Sequence, residues 1–174
     1  MTTKKQNNQT SKKSNMVKIL TIAVPVILLL LVYATWNKDD AATNTNTEKE
    51  VVKDADLVIP IDEVTDTATF YPVEIDGTKM EVIAVVAPDK SVRTAFNTCQ
   101  VCYSSGRGYY VQEGDSLVCQ NCGNRFGMND VEVTKGGCNP VPITPEYKTV
   151  DDTNITISKD FLTEAKVIFE NWGR

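Results

Sequence analysis

The sequence predicts a mainly β domain closed by one C-terminal helix and preceded by a transmembrane helix. Three observations carry this: short alternating apolar runs broken by Gly, Pro and Asp turns, one amphipathic stretch near the C-terminus, and a long uncharged run near the N-terminus. That uncharged run is Ile19–Trp36 (ILTIAVPVILLLLVYATW), at the short end of what spans a hydrocarbon core of about 30 Å. Lys4, Lys5, Lys12, Lys13 and Lys18 precede it, and Asp39 and Asp40 follow it. Positive charge stays on the cytoplasmic side, so the N-terminus is expected inside and the following domain outside. Tyr33 and Trp36 suit the interfacial aromatic belt, and Pro25 is tolerated within a membrane helix. A cleaved signal peptide is the rival reading. Its apolar region is normally shorter, and no small-x-small cleavage site follows the run here.

Charge is unevenly distributed. Residues 1–38 hold six lysines and no acid, whereas the remainder holds 12 basic and 23 acidic residues, a formal charge of −11. Such an acidic body disfavours nucleic acid as a partner, since phosphate binding requires a basic face. Residues 1–16 read as a disordered cytoplasmic tail, 17–36 as the membrane anchor, 37–56 as a polar linker, and 57–174 as an extracytoplasmic Cys-rich domain.

Within that domain Tyr71, Val73 and Ile75 alternate up to an Asp76-Gly77 turn, and Met80, Val82, Ala84 and Val86 alternate on the return, which predicts a hairpin. Pro72 points to an edge strand or a bulge. Pro88-Asp89-Lys90 predicts a turn, after which Val92, Thr94 and Phe96 alternate into Cys99. A second hairpin is expected from Tyr109–Gln112 and Ser116–Cys119 around Gly114-Asp115. Residues 135–145 read as a Gly/Pro loop, Asn154–Ile157 as a strand, and the closing helix starts at a Ser158 N-cap with Phe161, Ala165, Ile168 and Trp172 on one face.

The chemistry lies in four cysteines with the pattern C-x2-C-x16-C-x2-C: Cys99, Cys102, Cys119 and Cys122. Two cysteines separated by two residues can turn both sulfurs to one point in a tight knuckle, with amides of the same turn directed at them. Two knuckles joined by a hairpin then offer four thiolates in a tetrahedron, a donor set for zinc or iron. The spacing lies within the range of four-cysteine metal sites, and Gly123 follows the second pair where a knuckle needs a residue without a side chain. A zinc-ribbon-like domain fits this pattern. Structural zinc, disulfides and a redox-active dithiol compete with a functional metal on the same residues. Five cysteines leave one over after pairing, and neither knuckle precedes a helical pattern of the kind a thioredoxin-like pair requires. Cys138, within Gly136-Gly137-Cys138-Asn139-Pro140, is the candidate fifth participant.

The chain has no histidine, which excludes His-based zinc hydrolases, a Ser-His-Asp triad and His-ligated haem. It has neither nucleotide-binding glycine motif, and its carboxylates are too scattered to single out a catalytic pair. No catalytic residue is assigned, and the sequence does not mark the chain as an enzyme.

The stretch from Asn97 to Pro142 resembles the C-terminal domain of the FtrD-like membrane iron–sulfur proteins. The resemblance rests on Cys99, Cys102 and Tyr103, on Gly106, Gly108 and Tyr109, on Val118 to Phe126, and on Gly136 to Pro140. It implies an iron–sulfur cluster or a mononuclear iron held by Cys99, Cys102, Cys119 and Cys122, with zinc as the alternative. It also implies a role in electron transfer or metal uptake with redox or metal-transport partners at the membrane. A looser likeness to Rieske domains, with Cys122 where their second loop has histidine, suggests a small β-sandwich and excludes Rieske chemistry, which needs two histidines.

Overall fold

The computed structural model describes residues 49–174. The basic tail, the apolar run and most of the polar linker lie outside the described residues; among those described, no helix is long and apolar enough to cross a membrane. The fold begins within the stretch expected as linker, because β1 (Val52–Lys53) pairs in parallel with β3 (Thr69–Ile75). It continues with β2 (Leu57–Pro60), β4 (Thr78–Val86), β5 (Val92–Cys99), β6 (Tyr110–Glu113), β7 (Ser116–Cys119), β8 (Arg125–Gly127), β9 (Pro140–Pro142), β10 (Thr149–Val150), β11 (Asn154–Ile157) and α1 (Lys159–Ala165).

The strands form three sheets. The central one has the order β1-β3-β4-β5-β9; the others are β10-β11-β2 and β6-β7-β8, both antiparallel. The β3–β4 hairpin turns where its sequence predicts. Asp76 and Gly77 both take positive φ (48° and 79°), the mirror-image turn that matches strand twist. Pro72 lies outside the register of β1 on β3, which covers Val73 and Glu74. The turn after β4 is closed by the Lys90 amide donating to the Ala87 carbonyl.

Both faces of the central sheet are covered. Tyr71, Val73, Ile75, Met80, Val82, Ala84 and Phe96 join β2, β11 and α1 in one core with Leu57, Ile59, Ile155, Ile157, Leu162 and Phe169. Ile83, Val85 and Ala95 point the other way into a second core with Tyr110, Leu117, Phe126, Met128, Val131, Cys99 and Cys119. This explains why residues 80–85 form an unbroken buried run in β4. A strand covered on both sides has no polar face to alternate with.

The helix is shorter than its periodicity predicts. Ser158 caps it by accepting from the Phe161 amide, but α1 ends at Ala165 and tightens into a 3₁₀ turn over Lys166–Phe169. Aromatic packing continues beyond it: Phe96 meets Phe161 and Phe169 at centroid distances of 5.6 and 5.7 Å, and Phe169 meets Trp172 edge-on. The Gly/Pro loop also differs from expectation, since β9 forms inside it and pairs with β5. Pro140 and Pro142 are accommodated because β9 is the outermost strand of its sheet.

Ile83 is fully buried in the core beneath the cysteines. Ile83→Ala is expected to lower stability by about 2–5 kcal/mol, read as a shift of the denaturant midpoint at unchanged slope.

Candidate metal centre

Three loops converge at one end of the second core. Cys99 ends β5 and Cys102 lies in the turn that follows; Cys119 ends β7 and Cys122 lies in the next turn; Cys138 lies two residues before the start of β9. The Cys102 amide lies 3.3 Å from the Cys99 sulfur and donates to it, as a knuckle requires. In the second knuckle the Gly123 amide donates to the Cys119 carbonyl at 2.8 Å, and Gly123 takes φ +72°, so the glycine is used for its left-handed backbone.

Cys138 arrives by strand pairing. Cys99 is in register with Pro140, and the Gln100 amide donates to the Asn139 carbonyl, which fixes the residues before Pro140 against the first knuckle. Side chains tie the loops further: Gln100 Oε1 accepts from the Gly136 amide, and Asn124 Nδ2 donates to the Cys138 carbonyl at 3.0 Å.

The sulfurs of Cys99, Cys102, Cys119 and Cys138 all lie within 4.8 Å of one another. The Cys138 sulfur is 3.3 Å from that of Cys99, 4.0 Å from that of Cys102 and 2.8 Å from that of Cys122. The two knuckles expected from the spacing are thus brought together, and Cys138 joins them. Cys99 and Cys119 are buried, Cys102 and Cys138 half-buried, and Cys122 is exposed.

Tyr110 lies in the hairpin its sequence predicts, where it can shield a metal, whereas Asn97, Glu81, Glu132 and Lys148 carry no signal in the sequence. Tyr110, set directly across from Cys119, is fully buried with its hydroxyl 3.9 Å from the Cys138 sulfur. Asn97 Oδ1 accepts from the Tyr110 amide at 2.7 Å while its Nδ2 donates to the Glu81 carboxylate, itself paired with Arg174. Glu132, at φ +68°, accepts from the Thr94 amide and pairs with the nearly inaccessible Lys148, clamping the loop before Cys138 to β5. No short motif announces these contacts, because their partners are distant in sequence. Tyr103, by contrast, is exposed, and Tyr109 packs edge-on against Trp172.

Gly106 and Gly108 have a steric role. A Cβ on Gly108 would stand 2.8 Å from both the carbonyl carbon and oxygen of Cys102, and one on Gly106 would strike the Asn171 carbonyl at 2.3 Å. The segment after α1 packs against this loop: Gly173 donates to the Gly106 carbonyl and the Trp172 indole to the Asn97 carbonyl, each at 2.8 Å.

The thiols are not equivalent. Burial pushes Cys99 up, but the Tyr110 hydroxyl and the amides of Val101 and Cys102 outweigh it and bring the thiol below its ordinary value. The Cys138 thiol and the Asn124 amide lower Cys122 to about 7. Burial raises Cys102 to about 11, and raises Cys119 and Cys138 as well. Each knuckle therefore pairs one thiol shifted below its ordinary value with one shifted above it.

A single tetrahedral ion with metal–sulfur bonds of about 2.3 Å separates its sulfurs by roughly 3.8 Å. Thiolates on different irons of a cluster point outward from the inorganic core and stand roughly 5–6 Å or more apart. As placed, the sulfurs fit a single ion; a cluster requires the three loops to spread.

The fold and the sulfur cluster define the class, a small mainly β domain with a cysteine cluster able to hold a metal. A family model described as membrane iron-sulfur containing protein FtrD-like matches residues 64–169, and the chain belongs to that family. No curated protein and no solved structure matches the chain.

Two outcomes follow from the geometry. Gly108→Ala is expected to displace Cys102, destabilising the domain by about 1–3 kcal/mol and lowering the metal bound per chain, measured by unfolding and elemental analysis. Cys102, Cys119 and Cys138 keep their protons near neutral pH, so an ion that binds all three must displace about three protons. Affinity is expected to rise with pH between about 6 and 8 and to fall on acidification, with calorimetry in buffers of different ionisation enthalpy counting the protons.

Proposed function

We propose that this protein is a membrane-anchored, extracytoplasmic metal-binding protein whose cysteine centre serves electron transfer or metal uptake. The observation that carries the reading is the convergence of all five sulfurs at one end of the domain of a chain that belongs to a membrane iron–sulfur family. The apolar run Ile19–Trp36 supplies the anchor in this reading, and the lysines before it set the N-terminus in the cytoplasm. Cys99, Cys102 and Cys119 ligate in every version of it, and the fourth position falls to Cys122 or Cys138. Iron in such a centre supplies one-electron chemistry. The chain's contribution is to direct the Cys102 amide and the Tyr110 hydroxyl at the sulfurs and to exclude water from Cys99 and Cys119. Redox or metal-transport proteins at the same membrane are the partners this role requires.

A second reading is favoured by one observation: Cys99 and Cys119 belong to the second core itself. A zinc ion there holds the domain together, and the protein is then a structural or metal-handing module. Elemental analysis and a visible spectrum of the anaerobically purified full-length chain separate the readings. About one iron per chain, with absorption that bleaches on adding dithionite, is the expected result. Colourless protein with about one zinc transfers the case to the second reading. Metal-free protein with a reversibly titrating dithiol sinks both and leaves thiol–disulfide exchange.

A further inference from the structure

Five sulfurs converge where a tetrahedral ion has four positions, and the five differ in access. Cys99, Cys102, Cys119 and Cys138 form the mutually close set, and none of them is exposed. Cys122 stands outside that set and is exposed, yet its sulfur lies 2.8 Å from that of Cys138. It is held there from two directions: its knuckle is fixed by the Gly123 amide on the Cys119 carbonyl, and Asn124, two residues on, grips the Cys138 carbonyl. A thiol that touches both the solvent and a cage sulfur is suited to receive an ion and pass it inward.

We propose that Cys122 is the exchange thiol of this centre, capturing a soft divalent ion from solution and yielding it to Cys138, so that the resident ion is held by Cys99, Cys102, Cys119 and Cys138. The inference rests on the metal-binding reading above and adds a route of entry to it. In the first step a metal–water bond breaks as the Cys122 sulfur–metal bond forms, and the Cys122 proton leaves to solvent. In the second, the sulfurs of Cys99, Cys102 and Cys119 displace the remaining waters and their thiol protons leave to solvent; the Cys138 sulfur then bonds to the ion through a transient five-coordinate arrangement and loses its proton to solvent, and the Cys122 bond breaks as Cys122 takes a proton from solvent. The ion keeps its oxidation state throughout, so no oxidant or reductant is involved. Release runs along the same route in reverse, with Cys122 as the point at which an external ligand draws the ion out.

The test uses the full-length chain in detergent and zinc alone as the probe. After loading with one equivalent, alkylation with iodoacetamide and peptide mapping should label Cys122, with the other four cysteines protected at least tenfold. Cys122→Ser should retain one zinc per chain but take it from a chromophoric zinc chelator at least tenfold more slowly than the unaltered protein. Labelling of Cys138 with Cys122 protected overturns the proposal. So does protection of all five cysteines, loss of zinc from Cys122→Ser, or loading of that variant at the unaltered rate. A chain that retains no zinc, with all five cysteines labelled, overturns the metal-binding reading as well, so the two failures are distinguishable.

Discussion

The structure depends on a core that ends in sulfur. On one side of the central sheet, β2, β11 and α1 supply enough branched aliphatic and aromatic side chains to close a conventional apolar layer. On the other side, three strands of three or four residues supply Tyr110, Leu117, Cys119 and Phe126, and Cys99 at the end of β5 packs among them. Thiols pack there as small apolar groups while protonated. Thiolates at the same separation repel one another, and an ion removes that repulsion. The layer that holds the cysteines in place is thus itself completed by whatever the cysteines hold.

This arrangement explains the polar residues buried around the site. Asn97 bonds both the amide and the carbonyl of Tyr110, so it joins the cysteine-bearing sheet to β5 where no strand ladder does so. Lys148 and Glu132 form a nearly inaccessible ion pair, an arrangement that adds little stability in itself but is costly to break on one side, so it fixes a single loop geometry. Burial raises the carboxyl of Glu81 above its ordinary value, against the pull of Asn97 and Arg174, and that carboxylate completes the set. The family's membrane iron–sulfur description agrees with the donor chemistry of the clustered thiols.

Much of this was legible in the sequence where the signal is local. The Asp76-Gly77 hairpin, the Gly114-Asp115 hairpin and the Ser158 cap each depend on a few adjacent residues, and each is found where those residues indicate. What was illegible depends on partners distant in the chain. β9 is a strand because β5 offers it an edge, which Gly136-Gly137-Cys138-Asn139-Pro140 does not disclose. The helix ends early because Phe169 and Trp172 turn to pack against Phe96, Tyr109 and the Asn97 carbonyl of β5 instead of continuing its face. The position of Cys138 among the other sulfurs follows from that same strand pairing.

The side chains of β4 divide alternately between the two cores: Met80, Val82 and Ala84 face one, Ile83 and Val85 the other. A strand shared in this way leaves neither layer free to melt alone, because loosening one withdraws packing from the backbone that orders the other. Free energy supplied by an ion at the sulfur end is therefore distributed over the whole domain, reaching α1 and β11 on the far side of the sheet. Conversely, an ion enclosed by the inner four sulfurs has two ways out, the collective opening of the domain or passage through a surface thiol. The lifetime of the bound state is set by whichever is faster.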